Sequence, residues 1–317
     1  MTLNRENVLI EALPYIRDFH DSIMVIKVGG HAMVNPEVMS DIIQDIVLLR
    51  FVGIHPILVH GGGPEISEKM KRMGKESQFV GGLRVTDDET LEIARMVLVG
   101  NINTEIVALI GKHGAKGVGL SGKDGKTIIA KKKPSQKVMI ENVEHEVDLG
   151  WVGDTEIINT ELINILIREG YIPVISPIAM DASGKALNIN ADTVAGDIAA
   201  ALKAKKLILM TDVPGLLRDI NDRSSRISRV GIEDIEDLID SGLISGGMIP
   251  KMRSAAGSVT SGVEKIHIID GSVSHSILLE LFTDTGIGTM VYKKEDEVRT
   301  HLFDFKLLIL NLMFSPE

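Results

Sequence analysis

The sequence predicts an α/β protein built on a mostly parallel open sheet with helices on both faces. Two observations carry this. Short β-branched runs alternate with amphipathic segments along much of the chain, the order that βαβ units produce. The runs are almost continuously apolar, as strands buried on both faces must be.

In chain order, MVIKV (24–28) precedes the amphipathic PEVMSDIIQDIVLLRFVG (36–53), and HPILVH (55–60) precedes PEISEKMKRM (64–73). Later, YIPVIS (171–176) leads to ADTVAGDIAAALKA (191–204) and then KLILM (206–210). Between these halves, VGLSGKDGKTIIAKKK and VDLGWVGD form short strands joined by glycine turns, a small antiparallel excursion. A lobe boundary is expected in MDASGKALN (180–188), where Asp181, Ser183 and Gly184 interrupt the periodicity.

Composition narrows the classes. The 317 residues, 44% hydrophobic, suffice for one large α/β unit or two lobes. With 34 Lys+Arg against 44 Asp+Glu the formal charge is −10, a field that repels nucleic acid and anionic lipid, so neither is expected as a partner. The absence of cysteine excludes disulfides, thiolate metal sites and a cysteine nucleophile, and points to the cytoplasm. The N-terminal segment carries Arg5, Glu6, Glu11, Arg17 and Asp18 and reads as no signal peptide. LLILNLMF near the other end is too short to span a bilayer.

Ligands of open α/β sheets collect beyond the carboxyl ends of the strands, and the informative residues stand there. Lys27 ends the first apolar run, followed by Gly29 and Gly30; on its own, a lysine there snorkels into water. HPILVH ends in Gly61, Gly62 and Gly63, and Pro64 opens a helix, so free N–H donors and a helix dipole form a phosphate cradle. The plain alternative is a tight turn needing positive φ. GVGLSG (117–122) spells a dinucleotide fingerprint, but it follows a helix-like segment and leads into a strand, and Asp124 stands where a P-loop needs Ser or Thr; a hairpin turn accounts for both. In NINAD (188–192), Asp192 opens a helix, where a carboxylate also suits the helix dipole. MTDVPGLLRD (210–219) ends a buried strand in a polar turn, a nucleotide edge or simply a β-turn. GGMIPKMRSA (246–255) contributes a second lysine, Lys251. Two lysines, glycine backbone donors and a carboxylate to hold the lysines apart are what phosphoryl transfer demands.

VIKVGG, HGGGPEI, GLRVTD, NINAD, TDVPGLL and GGMIPKM, in this order, resemble the amino acid kinase family from the N-terminal helix to about residue 296. The resemblance implies a three-layer αβα sandwich with two lobes: 21–185 for the amino-acid substrate and 186–296 for ATP. It implies transfer of the γ-phosphoryl of MgATP to the side-chain carboxylate of N-acetyl-L-glutamate, with Mg²⁺ held mainly by ATP and water and no metal-binding side chain. Another small acid, carbamate, or a sensing module without turnover stand as alternatives. By the same resemblance, Lys27 and Lys251 bracket the transferred group and Asp192 orients both. Gly29, Gly30, Gly62 and Gly63 surround its oxygens, Arg84 grips the α-carboxylate, and Asn188 adds a hydrogen bond. Thr211, Asp212, Gly215 and Leu216 line the nucleotide.

Residues 1–20, with Leu9, Leu13, Ile16 and Phe19 at helical spacing, resemble the helix that interlaces dimers into a hexamer in arginine-inhibited members of the family. An L-arginine site would then draw on Tyr15, His267, Glu280, Gly286 and Gly288. The alternatives are a solvated helix face for Glu280 and a satisfied strand residue for His267. The tail 297–317 matches nothing in the family and has no assigned role.

Overall fold

The computed structural model describes residues 5–140 and 143–295; the 297–317 tail lies outside them. The first half runs α1 (Arg5–Phe19), β1 (Ile23–Val28), a single turn α2 (His31–Val34), α3 (Pro36–Phe51), β2 (His55–His60), α4 (Gly63–Arg72), β3 (Phe79–Val80), β4 (Leu83–Arg84) and α5 (Asp88–Arg95). A π-helical stretch (Met96–Ile102) joins α5 to α6 (Asn103–Lys112). Then come β5 (Lys116–Ser121), β6 (Ile128–Lys132), β7 (Gln136–Ile140), β8 (Val143–Val147), β9 (Gly153–Ile158), α7 (Glu161–Arg168) and β10 (Tyr171–Ser176). The second half adds β11 (Ile178–Met180), β12 (Ala186–Asn188), α8 (Ala191–Ala201), β13 (Lys206–Thr211), β14 (Arg229–Gly231), α9 (Ile235–Asp240), α10 (Met248–Thr260), β15 (Lys265–Asp270), α11 (Ser276–Leu281) and β16 (Thr289–Tyr292).

Eight strands form the main sheet in the order β14-β16-β15-β13-β1-β2-β10-β5. Every neighbouring pair is parallel except β15 with β16. Strand β1 is central because its run is apolar on both faces, and it pairs with β2 on one side and β13 on the other. Met24, Ile26 and Val28 point into one core with α3 and α6, whereas Val25 points into a second core with α7, α8 and α10. These are the three layers the sequence predicts. Lys27 shares the Val25 face by alternation, the side on which α8 begins.

The chain leaves β1 in opposite directions along the sheet, to β2 first and to β13 in the second half, so a crevice opens beyond the ends of these three strands. Over part of it lies a smaller sheet in the order β12-β11-β6-β9. The antiparallel excursion is there, but the hairpin turn expected at GVGLSGKD (117–124) is not. Strand β5 joins the main sheet and β6 the smaller one, so the intervening turn carries the chain between sheets. Asp124 closes that turn by accepting from the Ser121 amide at 2.7 Å. The segment 180–188, where a lobe boundary is expected, lies in the β11–β12 hairpin.

Asp88–Lys112 is long and apolar enough by composition to cross a bilayer, yet Ile93, Ala94, Leu98 and Ile106 pack into the first core.

His60, at the end of β2, is fully buried, and that burial pushes its pKa down to about 4. The unfolded chain binds this proton near pH 6.5, so the neutral ring contributes stability above pH 6.5 that is lost as pH falls toward 4. Asp45, raised to about 6 by burial, acts in the opposite direction. Its contribution cancels when wild type and a His60 variant are compared. Urea unfolding at pH 7 and pH 5 should show His60→Asn losing about 2 kcal/mol less over that interval than wild type; equal losses would show that His60 is not held neutral.

Candidate active site

Lys27 extends from the end of β1 over Gly29, where a Cβ would lie 2.5 Å from Nζ. Glycine there is a clearance requirement. The ammonium stands 2.9 Å from Asp192 Oδ1, and Lys251, from the first turn of α10, reaches Asp192 Oδ2 at 3.1 Å. Asp192 occupies the first turn of α8, whose N-cap is Asn190; the Asn190 side chain accepts from the amides of Asp192 at 2.8 Å and Thr193 at 3.2 Å. Burial acts to raise the Asp192 pKa, but the charges of Lys27 and Lys251 more than offset it and hold the carboxyl below its ordinary range. Three residues far apart in sequence thus form one compact group of charges.

This group stands where two cavities meet. One, of about 200 Å³, is lined by Lys27, Gly61, Gly62, Gly63, Arg84, Asn188 and Asp192. The other, of about 910 Å³, is lined by Lys27, Gly30, Thr211, Asp212, Gly215, Leu216 and Lys251 among others. A cleft of about 410 Å³ that includes Asp192 and Lys251 runs between the small sheet and α10. Gly30 adopts φ +65°, and a Cβ on it would sit 2.3 Å from Asp212 Oδ1. Gly62 adopts φ +154° under Leu98 and Ile102. A Cβ on Gly63 would meet nothing within 4 Å.

Arg84 ends β4 and is buried, 7% exposed. Its guanidinium donates to Gly63 O at 2.7 Å, Ser67 Oγ at 2.8 Å and Ser77 Oγ at 2.5 Å, and lies 4.6 Å from the Phe79 ring centroid. Burial lowers its pKa, and no carboxylate pairs with it among the described residues. A desolvated cation in a cavity without a counter-charge is suited to an anionic ligand. Asn188 Nδ2 donates to Thr86 Oγ1 at 3.4 Å, at the rim of the same cavity.

The residues expected at an effector site gather away from this crevice. Glu280 Oε1 is 2.5 Å from His267 Nδ1, and Oε2 accepts from the amides of Ile287 at 2.7 Å and Gly288 at 2.8 Å. Glu280 is therefore not a solvated helix face; its carboxylate secures its own loop, and a Cβ on Gly286 would strike it. His267, pushed to about 4 by burial and the neighbouring Lys206 charge, also takes a contact of 2.8 Å from Lys206 Nζ. Tyr15 instead pairs through its hydroxyl with Asp284.

Sequence reasoning did not single out Ser67, Ser77 and Phe79, which hold Arg84, nor Lys206. It also passed over His60 and Asn103 behind the glycine loop. Only His60 carried a visible signal, its place in HGGGP.

Lysine pairing across a glycine-lined crevice at the switch point of a three-layer sandwich defines a phosphoryl-handling class. The pattern of the amino acid kinase family matches residues 22–270, and the chain belongs to that family. Among its relatives, acetylglutamate kinase of Methanococcoides burtonii is 77% identical over 92% of this chain and 96% of that protein. The protein of the same name from Methanosarcina mazei is 69% identical over 92% of this chain and its own full length. In three dimensions the chain resembles N-acetylglutamate synthase from Neisseria gonorrhoeae complexed with coenzyme A and N-acetyl-glutamate, with a TM-score of 0.78 and 24% identity over 91% of this chain and 63% of that one. It also resembles Giardia carbamate kinase, with a TM-score of 0.59 and 16% identity over 86% and 99% of the two chains. At these identities the structures bear on fold alone.

Removing Asp192 strands two ammonium groups in a partly buried site. Asp192→Ala should lower the urea-unfolding free energy by about 3 kcal/mol, and adding Lys27→Met should restore part of that loss. An unchanged midpoint in Asp192→Ala would mean the two lysines do not depend on this carboxylate.

Proposed function

We propose that the protein transfers the γ-phosphoryl group of ATP to the side-chain carboxylate of N-acetyl-L-glutamate, producing N-acetyl-L-glutamyl 5-phosphate for arginine biosynthesis in the cytoplasm. The observation that carries the reading is the buried Arg84, without a carboxylate partner among the described residues, in a cavity that also takes in the Lys27–Asp192 pair. A bidentate grip on the α-carboxylate would use the Nε–H and one terminal N–H that now donates to a serine hydroxyl, so the substrate would displace that hydroxyl. Asn188, at the rim, suits the acetylated amine. The two substrate lobes are residues 21–185 and 186–296. The names of the relatives, at up to 77% identity over nearly their whole length, support the same substrate.

The acceptor carboxylate is ionised at neutral pH, so no general base is needed. It attacks the γ-phosphorus in line as the bond to the ADP oxygen breaks. Charge on the three equatorial oxygens rises along this path, and Lys27 and Lys251 meet it from either side. Amides of Gly30, Gly62 and Gly63 add neutral donors. Asp192 bridges the two ammonium groups in the free site and offsets their mutual repulsion.

The nucleotide occupies the larger cavity along Thr211, Asp212, Gly215 and Leu216. A Mg²⁺ would be carried mainly by the nucleotide and water, since the ion dehydrates reluctantly and commonly uses substrate phosphates. When bound, Mg²⁺ would offset phosphate charge.

Carbamate or a smaller acid would leave Arg84 without a counter-ion. A sensor without turnover would have no use for the lysine pair. An ATP-dependent hydroxamate assay across N-acetylglutamate, glutamate, aspartate and carbamate separates these readings. N-acetylglutamate should give the highest kcat/KM, and preference for another acceptor would reject the assignment. Lys27→Ala or Lys251→Ala should lower kcat about 10²- to 10³-fold, and Arg84→Lys should raise KM for the acid far more than for ATP.

We further infer a homo-oligomer, dimers joined through α1 into a hexamer, controlled by L-arginine. Ile10 and Leu13 are exposed on α1 at 66% and 56%, apolar surface that a neighbouring subunit would cover. The same helix anchors beside the Glu280 cluster through Phe19 against Phe282 and Asp18 against Lys205. Arginine there would displace the internal partners of Glu280 and so favour one arrangement of α1. Light scattering and activity with and without arginine, on the full chain and on a form lacking residues 1–20, test it. Arginine should inhibit only the full chain, and undiminished activity at saturating arginine removes the control while leaving the kinase reading.

A further inference from the structure

We propose that His60 and Asn103 form a positioning relay that sets the direction of the Gly62 amide, one of the donors assigned to the transferred group; its catalytic meaning rests on the kinase reading above. His60 is the last residue of β2, and its Nδ1 lies 2.8 Å from Gly61 O. A carbonyl only accepts, so Nδ1 carries the ring proton. Nε2 is then an acceptor, and Asn103 Nδ2 stands 3.1 Å from it. The second hydrogen of that amide goes to Val174 O at 3.0 Å, on the neighbouring strand β10. Two acceptors on one NH₂ group leave a single orientation for the Asn103 amide and a single tautomer for His60.

The consequence reaches the site through peptide planarity. The Gly61 carbonyl and the Gly62 N–H belong to the same peptide unit and point in opposite directions. Holding the carbonyl against His60 therefore aims the Gly62 amide away from it. The preceding unit is fixed as well, since Gly61 N donates to Val28 O at 2.8 Å. Leu98 and Ile102 close over Gly62, leaving no room for a Cβ: they would stand 2.6 and 2.5 Å from it.

All three of Leu98, Ile102 and Asn103 belong to, or directly follow, the π-helical stretch. Leu98 and Asn103 are five residues apart, which on an α-helix places them about 140° apart; the i→i+5 spacing of a π-helix brings both inward. Both are buried, 2% and 4% exposed. The GVGLSG segment has its explanation here too. A Cβ on Gly119 would lie 1.9 Å from Asn103 Oδ1, so that glycine makes room for the relay and binds no nucleotide.

Two measurements on the full chain test the proposal. Ring ¹⁵N correlation spectra, with His60 assigned by its loss in His60→Asn, should show the Nδ1–H tautomer persisting from pH 8 to pH 5. Kinetics with ATP and N-acetylglutamate should show His60→Leu and Asn103→Leu lowering kcat about 10- to 100-fold, less than loss of a direct donor, with KM for ATP within about twofold. His60→Asn places an amide N–H near the Nδ1 position and should recover most of that loss, which a purely structural role would not predict. An Nε2–H tautomer in the wild type overturns the relay, as does wild-type kcat in both leucine variants. If the leucine variants fail to fold, the tautomer decides. If the wild type turns over no substrate, the kinase reading fails separately and the tautomer still tests the geometry.

Discussion

One carboxylate holds the crevice together. Asp192 stands between two ammonium groups that enter from opposite sides, Lys27 from the central strand and Lys251 from α10. Without it, two like charges would face each other in a partly desolvated space, and each would be driven out toward water. With it, both lysines are held in place without substrate, and on the proposed mechanism the site would be spared that rearrangement during reaction. The position of Asp192 is itself secured by Asn190, whose cap sets the start of α8, and by the packing of α8 against β1.

The rest of the crevice is organised as clearance around those charges. Gly29 lets the Lys27 side chain pass, Gly30 admits Asp212, and Gly62 fits beneath the π-helical stretch. Arg84 lines the smaller cavity, and among the described residues it meets carbonyl, hydroxyl, thioether and aromatic groups but no carboxylate. A dianionic acid with its charges at two ends suits this layout: one end toward Arg84, the other toward the lysine pair. Both cavities touch Lys27, and on the proposed reading a nucleotide in the larger one would pass its phosphoryl group there.

Much of this is legible in the sequence because strand ends announce themselves. Apolar runs followed at once by glycine locate the sheet's carboxyl edge, and Lys27, Gly30, Gly62 and Thr211 all stand on it. Asp192 was legible as a helix-opening carboxylate, but its two lysine partners lie 165 residues before it and 59 after it in the chain; only the motif order suggested the trio. The shell behind the site left little trace. Ser67 and Ser77 are unremarkable polar residues until the fold brings them to Arg84. The π-helical stretch follows neither the strand nor the α-helix period, so Asn103 reads as an ordinary helix residue. The β5–β6 turn was misread because alternation reports a strand without saying which sheet it joins. Glu280 shows the limit of resemblance alone: His267, Gly286 and Gly288 lie against it, yet its carboxylate is engaged by its own loop.

Calorimetric titration of MgADP, N-acetylglutamate and aluminium fluoride into the wild type and Asp192→Asn tests the central role of this carboxylate most directly, because the fluoride complex mimics the planar phosphoryl group in flight. If Asp192 aims the lysines at developing charge, the variant should bind the complete mimic at least about 10²-fold more weakly while binding MgADP alone within about threefold. Equal losses for the mimic and for MgADP, or no loss for either, would contradict that role.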